Sequence, residues 1–171
     1  MNEAALTIKE VKALRDFLDR EAILAVVNNY YRGLDTRDFA LFETVFAEDA
    51  ELCAHQVNGA IFKFEGLGAI IDALSRVNVY RTSHHGVRNA GITIEGNRAT
   101  TNIYAMDALI DGTNSSENQT IVPRLIQHGL RYMDVLEKQS AGWRIKSRRI
   151  YTLWQVITAN PRLLDKLPMP R

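Results

Sequence analysis

Three short stretches carry side chains able to move protons or hold charge. The first is Tyr30-Tyr31-Arg32-Gly33-Leu34-Asp35, at the end of a helix that opens near Asp19. Ahead of it Ile23, Val27, Tyr30 and Leu34 recur at three- and four-residue spacing, the stripe of a helix laid on a core. Asp35 falls at the edge of that stripe. A carboxylate at the rim of an apolar face is desolvated, and desolvation raises its pKa toward useful base strength. The plain alternative is that Asp35 ends its helix or caps the next one.

The second stretch is His84-His85, which opens a long strand. Adjacent strand residues point to opposite faces, so only one of the two can face a pocket, which argues against a joint metal site. A lone buried histidine is commonly a core residue with its hydrogen bonds satisfied. A helix-end aspartate reaching the same cavity changes its meaning, because a carboxylate on one ring nitrogen orients the other and stabilises the imidazolium. The third stretch is Trp143-Arg144-Ile145-Lys146-Ser147-Arg148-Arg149-Ile150-Tyr151. Basic residues on an outward face only aid solubility, whereas one inward arginine could stabilise an oxyanion or a leaving group. Parity with Trp143 and Ile145 turns Arg149 inward; a single bulge turns Arg148 inward instead.

The elements that must position these groups follow from period and punctuation. Helices are expected over about 7–17 and 20–34, then a short one through Phe39, Phe42 and Phe46 with Asp38 as N-cap. Ala50 to His55 reads as a strand, Asn58-Gly59 as a hairpin turn, and Ile61, Phe62 and Phe64 as its return. A helix over about 67–77 precedes a change to period two, with strands from Ser83, over 99–110, over 125–137 and over 143–155. Asp111 to Pro123 reads as polar loop, and the proline-bearing tail from Ala159 is expected to lie over the surface without regular structure. Helices followed by long antiparallel strands make an α+β plan, with a pocket where the helices diverge from a curved sheet.

At 171 residues the chain is long enough for one domain with a real core, and nothing in it repeats. Lys+Arg of 21 against Asp+Glu of 20 gives no general attraction to nucleic acid or membrane. The start Met1-Asn2-Glu3-Ala4-Ala5 lacks a signal-peptide pattern, no apolar run has membrane-spanning length, and the single Cys53 implies a reducing, cytoplasmic setting. Asn114 and Asn118 match the glycosylation pattern and read simply as polar loop. Gly66-Leu67-Gly68 and Gly129-Leu130-Arg131 lack the context of a dinucleotide or phosphate loop, so no cofactor is expected, and no Cys/His spacing implies a metal.

Tyr30 to Asp38, Val45-Phe46-Ala47-Glu48-Asp49-Ala50, His85-Gly86-Val87-Arg88-Asn89 and Gly142-Trp143-Arg144-Ile145 together resemble the SnoaL-like branch of the NTF2-like superfamily, over about residues 10–155. The resemblance implies a cone of strongly bent antiparallel sheet closed by N-terminal helices, as a homodimer or homotrimer. Its nearest likenesses are to bile-acid 7α-dehydratase and hexachlorocyclohexane dehydrochlorinase, which carry the aspartate matching Asp35 and the histidine matching His85, four residues before Asn89. The dehydratase also has a tyrosine where Tyr30 stands, and the dehydrochlorinase an arginine that selects Arg148. This sequence departs from the pattern in placing His84 beside His85, and Cys53 and His55 where a tyrosine is usual. Strand parity with Ala90, Ile92 and Ile94 would turn His84 inward; the family spacing selects His85 and requires a break near Asn89.

The function expected on this basis is a cofactor-independent lyase, of dehydratase type, acting on a cyclic, largely apolar small molecule. His85 is expected as base and Asp35 as its partner, with Tyr30 polarising the departing oxygen and Arg148 stabilising developing charge. Arg149, Tyr31, His84 and Asn89 are expected to bind substrate. The alternatives are a double-bond isomerase or cyclase of a polyketide- or steroid-like substrate, and a non-catalytic binding or assembly module.

Overall fold

A computed structural model of the chain describes residues 6–111 and 123–161. The polar stretch 112–122, with Asn114 and Asn118, and the tail from 162 lie outside the described residues. One long helix, α1 (Ile8–Thr36), replaces the two expected at the N-terminus. It opens on a capping box in which the Thr7 hydroxyl accepts from the Glu10 N–H at 3.3 Å while the Glu10 carboxylate accepts from the Thr7 N–H at 2.8 Å. Asp19, at the supposed break, turns sideways instead and accepts from the Trp143 indole at 2.9 Å and from Lys138 at 2.7 Å. With no glycine or proline between Leu18 and Ile23, the backbone has no reason to stop.

Only the second half of α1 is packed. Ile23, Val26, Val27, Tyr30, Tyr31 and Leu34 are buried, whereas Ile8, Leu14, Phe17 and Leu18 are exposed. After α1, a 3-10 turn (Phe39–Leu41) and α2 (Phe42–Val45) lead into β1 (Phe46–His55). The hairpin to β2 (Ile61–Glu65), α3 (Leu67–Leu74) and a second 3-10 turn (Ser75–Val79) follow. Four long strands complete the fold: β3 (Thr82–Glu95), β4 (Arg98–Asp111), β5 (Arg124–Gln139) and β6 (Gly142–Ala159). The sheet order is β2-β1-β6-β5-β4-β3, antiparallel throughout except for the parallel pair β1–β6.

Three irregularities decide which side chains face the helices. On β3, Val87 pairs with Ala105 and Asn89 with Tyr104, leaving Arg88 as an extra residue. On β6, Lys146 is extra between Ile145 and Ser147, and Leu153 between Thr152 and Trp154. Each bulge shifts parity by one and sharpens the local twist. The inner face therefore carries Ser83, His85 and Val87 before the first bulge, and Ala90, Ile92 and Ile94 after it.

Gly33 lets the end of α1 lie against α2. A Cβ there would meet Phe42 Cε1 at 2.9 Å and the Asp38 carbonyl at 3.2 Å. Phe42 is fully buried among Phe39, Tyr30 and Phe46 and has nowhere to go. Gly33→Ala gains up to about 1 kcal/mol in helix propensity, but overpacking of this kind costs about 1–3 kcal/mol. We expect a net loss seen as a lower Tm; a variant with unchanged or raised Tm would show that the contact yields.

Candidate active site

Asp35 lies in the last turn of α1, and its carboxylate joins the helix to β3 through three donors. Oδ1 is 2.6 Å from His85 Nδ1 and accepts from the Ser83 hydroxyl at 3.0 Å, while Oδ2 accepts from the His85 backbone N–H at 2.8 Å. Beyond it Arg37 adopts the left-handed conformation (φ 62°), unusual for a side chain of that size. The turn folds its guanidinium back onto the Leu34 carbonyl, Ser83 Oγ (2.6 Å) and the Tyr80 carbonyl (3.2 Å). Arg37 thus ties the helix end, Ser83 and the approach to β3 together.

Burial alone would push the Asp35 carboxyl up, but the hydrogen bonds from the His85 ring, the His85 N–H and Ser83, with the attraction of the His85 charge, outweigh it and hold it below its ordinary value. It is therefore ionised at neutral pH. An ionised partner at Nδ1 keeps a proton there, so that in the neutral ring the lone pair lies on Nε2. The His85 side chain is 7% exposed and stacks on Tyr31, ring centroids 6.0 Å apart at 15°.

Arg148, turned inward by the bulge at Lys146, is wholly buried. Its Nε and Nη2 each donate at 2.8 Å to the two oxygens of Asp134, which also accepts from Thr101 at 3.0 Å. The guanidinium lies 4.1 Å from the Tyr30 ring centroid and 4.9 Å from that of Tyr132. Burial opposes its charge, but the Asp134 carboxylate more than compensates, so Arg148 stays a cation. Burial raises the Tyr30 phenol, with Arg148 opposing in part, and Tyr31 and Tyr132 are likewise raised by burial. Arg148 Nη1 and the Tyr31 hydroxyl are buried polar atoms with no partner among the described residues.

Of the expected site residues, Asp35, His85, Tyr30, Tyr31 and Arg148 thus lie together between α1 and the inner face of the sheet. The other three do not join them. His84 points outward into a recess of about 340 Å³ shared with Gly86, Arg88, Met106 and Gln127. Asn89, one residue past the bulge, pairs with outward-facing Tyr104 and is exposed. Arg149 is exposed and lines an outer cavity of about 720 Å³ with Arg131, Asn102 and Ser147. Their expected part in binding substrate beside His85 is therefore corrected, and strand alternation on either side of the bulges is the reason.

Asp107 and His128 were not anticipated from the sequence. They continue the rung from His85 across β4 and β5: Asp107 Oδ2 is 3.9 Å from His85 Nε2, and Asp107 Oδ1 is 2.7 Å from His128 Nδ1. A signal for them existed. Ala99, Thr101, Ile103, Ala105, Asp107 and Leu109 are the inward residues of β4, so Asp107 is a charge set into an apolar period-two stripe. Asp134 interrupts the Leu130, Tyr132 and Leu136 stripe of β5 in the same way. Among the described residues, no group of three or more His, Cys, Asp or Glu side chains is arranged to hold a metal ion, and no helix is long and apolar enough to cross a membrane.

The SnoaL-like domain family matches residues 15–149 of the chain. No curated protein matches it. Among solved structures, the Kfla4162 protein from Kribbella flavida superposes with a TM-score of 0.72 at 18% identity, covering 82% of this chain and 95% of its own. A hexachlorocyclohexane dehydrochlorinase (LinA) of type 2 gives 0.72 at 15%, covering 89% and 97%. The LinA-type3 dehydrochlorinase from Novosphingobium barchaimii LL02 gives 0.72 at 14%, covering 90% and 99%. At such identities these likenesses are likenesses of fold, and they agree with the helices packed on a curved sheet described above. With the family match spanning most of its length, the chain belongs to the SnoaL-like domain family.

Proposed function

We propose that this chain is a lyase that removes water, or a comparable leaving group, from a cyclic and largely apolar small molecule. The observation that carries this reading is the Asp35–His85 contact, 2.6 Å long, which directs His85 Nε2 inward, 3.9 Å from Asp107 and beside the Tyr31 ring. His85 takes a proton from a carbon activated by a neighbouring carbonyl; the C–H electron pair becomes the new double bond, and the bond to the leaving group breaks. Asp35 orients the ring and stabilises the imidazolium formed. Tyr30, held under the Arg148 guanidinium, polarises the departing oxygen by hydrogen bonding without surrendering its own proton. Arg148 reaches the reaction through Tyr30, 4.1 Å beneath its guanidinium, because Asp134 occupies its Nε and Nη2. Tyr31 supports the His85 ring from one side.

Family membership and the dehydrochlorinase fold neighbours support an elimination in particular. A double-bond isomerase is the second reading, favoured by the Asp107 carboxylate 3.9 Å from the base, a group able to hand the same proton back elsewhere. A small-molecule substrate and assembly as a homodimer or homotrimer belong to the same proposal.

3-Hydroxycyclohexanone serves as a probe, its loss of water followed by enone absorbance. We expect His85→Gln to abolish turnover with folding intact. Asp35→Asn should lower the rate by about 10³–10⁴-fold, on the scale of a triad aspartate, while destabilising by only about 1–3 kcal/mol. If Asp35→Asn changes the Tm and leaves the rate alone, Asp35 is merely a helix-end residue and the dyad falls; a wild-type chain without turnover would favour the binding-module reading instead.

Stability carries its own pH signature. The Asp35 carboxyl is depressed in the folded chain, so the unfolded chain binds the proton more readily. Its contribution is complete above the unfolded value near 4 and is lost as pH falls through the lower folded value. Plotted from pH 7 to pH 2, the difference in Tm between wild type and Asp35→Asn should hold steady and then shrink below about pH 4. A difference that stays constant to the lowest pH would mean the carboxyl is not depressed.

A further inference from the structure

The outer face of the sheet, opposite the face that carries His85, holds a hollow that the elimination does not use. One rung of the sheet there runs through Gly91, Asn102, Met133 and Arg149. The next, from Thr93 through Thr100 and Val135 to Ser147, has no side chain larger than valine. With a glycine at one end and short side chains below, the surface sinks into a cavity of about 720 Å³. Three arginines wall it: Arg149 on β6, Arg131 on β5, and Arg20, which reaches from α1 to the open edge of β3. Arg131 Nε donates to Asn102 Oδ1 at 2.8 Å, with its guanidinium 5.7 Å from the Tyr104 ring centroid. Arg20 Nη1 donates to the Ile92 carbonyl at 2.8 Å. Both are anchored at neutral oxygens, which hold a guanidinium in place without cancelling its charge. None of the three pairs with a carboxylate among the described residues. Asp134, the acidic residue in the lining, turns its carboxylate to the inner face, where it holds Arg148. Glu51 continues the second rung beyond Ser147, outside the hollow.

We propose that this hollow binds a small polyvalent anion, one that presents phosphate groups or paired carboxylates to Arg131 and Arg149, independently of the reaction at His85. A planar guanidinium offers paired N–H donors at the spacing of the oxygens in either group. With Arg131 Nε committed to Asn102, its Nη groups are the donors left to a ligand, and they are ordered before it arrives. Such ordering in advance lowers the cost of binding. Thr93, Thr100 and Ser147 add hydroxyl donors at the floor. The volume is that of a small-molecule site and exceeds what a single inorganic ion fills. The whole chain carries a formal charge of only +1, so the excess of positive charge is local to this cleft. A cleft lined by one sign of charge focuses its field and gathers ions of the other sign.

The test titrates the full chain with pyrophosphate and with citrate by calorimetry at constant ionic strength, with acetate as the monovalent control. Saturable binding of at least one polyvalent anion, and none of acetate, is expected; the tighter of the two identifies phosphate or polycarboxylate as the ligand chemistry. Arg131→Met and Arg149→Met should each weaken binding by about 10–100-fold, the scale of lost charge-assisted hydrogen bonds. Gly91→Leu leaves every charge in place and fills the hollow. A Cβ at that position meets nothing closer than the Asn102 carbonyl at 3.6 Å, so the strand accepts it. This variant should weaken binding to a similar extent with the Tm kept. Arg76→Met, which removes a cation from the turn before β3, outside the hollow, should leave binding unchanged. No saturable binding by the wild-type chain, equal weakening by Arg76→Met, or unaltered binding in Gly91→Leu would each overturn the proposal. So would an oligomer, followed by light scattering, that Arg149→Met dissociates while anion affinity stays the same, because the face would then be a contact between copies.

Discussion

One carboxylate holds helix and sheet in register at the site. Asp35 receives Ser83, the His85 backbone and the His85 ring, so the end of α1 and the start of β3 cannot shift without breaking several hydrogen bonds at once. Hydrogen bonds to a charged acceptor are individually worth about 1.5–3 kcal/mol, and the His85 side chain that makes one of them is buried and stacked on Tyr31. Arg37 closes the arrangement from the far side at the expense of a left-handed backbone. A helix-end aspartate with only a capping role would not call for that strained neighbour, a reinforced serine and a stacked tyrosine. Strain of this kind persists where the surroundings over-determine it.

Sheet bulges carry the second constraint. Without the extra Arg88, the apolar run Ala90, Ile92 and Ile94 would share its face with His84, and His85 would point to water. Without Lys146, Arg149 would enter the core in place of Arg148. The alternation of apolar residues made the strands, their order along the chain and the inner face of β4 legible from sequence. Bulges are set by pairing with a neighbouring strand, so only the two competing parities could be read, not the winner, except where the family spacing chose between them. The apparent break in α1 at Asp19 was misread for a related reason, since the carboxylate is engaged by Trp143 and Lys138, residues over a hundred positions away. Asp107, Asp134 and His128 were readable in principle as polar residues on apolar stripes, but their partners become visible only once the strands are laid side by side.

The Arg148–Asp134 pair raises a different question, because an ion pair sealed in a core is a poor way to gain stability. Desolvation of both charges can exceed their attraction, and apolar residues of equal volume often serve as well or better. Here the pair is satisfied by a two-point fork and by Thr101, which limits the penalty, while Nη1 has no partner among the described residues. What the pair does is fix a permanent positive charge under Tyr30 and Tyr132. A hydrocarbon replacement would fill the space and lose the field.

The same reasoning separates a catalyst from a mere container. A pocket that only binds an apolar ligand is best lined with apolar atoms and one or two fixed polar contacts. This interior instead holds two carboxylate–histidine pairs on one rung, each gripped through backbone and ring, next to a buried cation. Burying an ion pair costs desolvation of both charges, and Arg148 and Asp134 are wholly buried. That expense brings no return in a container whose ligand is apolar. It is offset where charge develops during a reaction, because donors already in place need not reorganise when it appears.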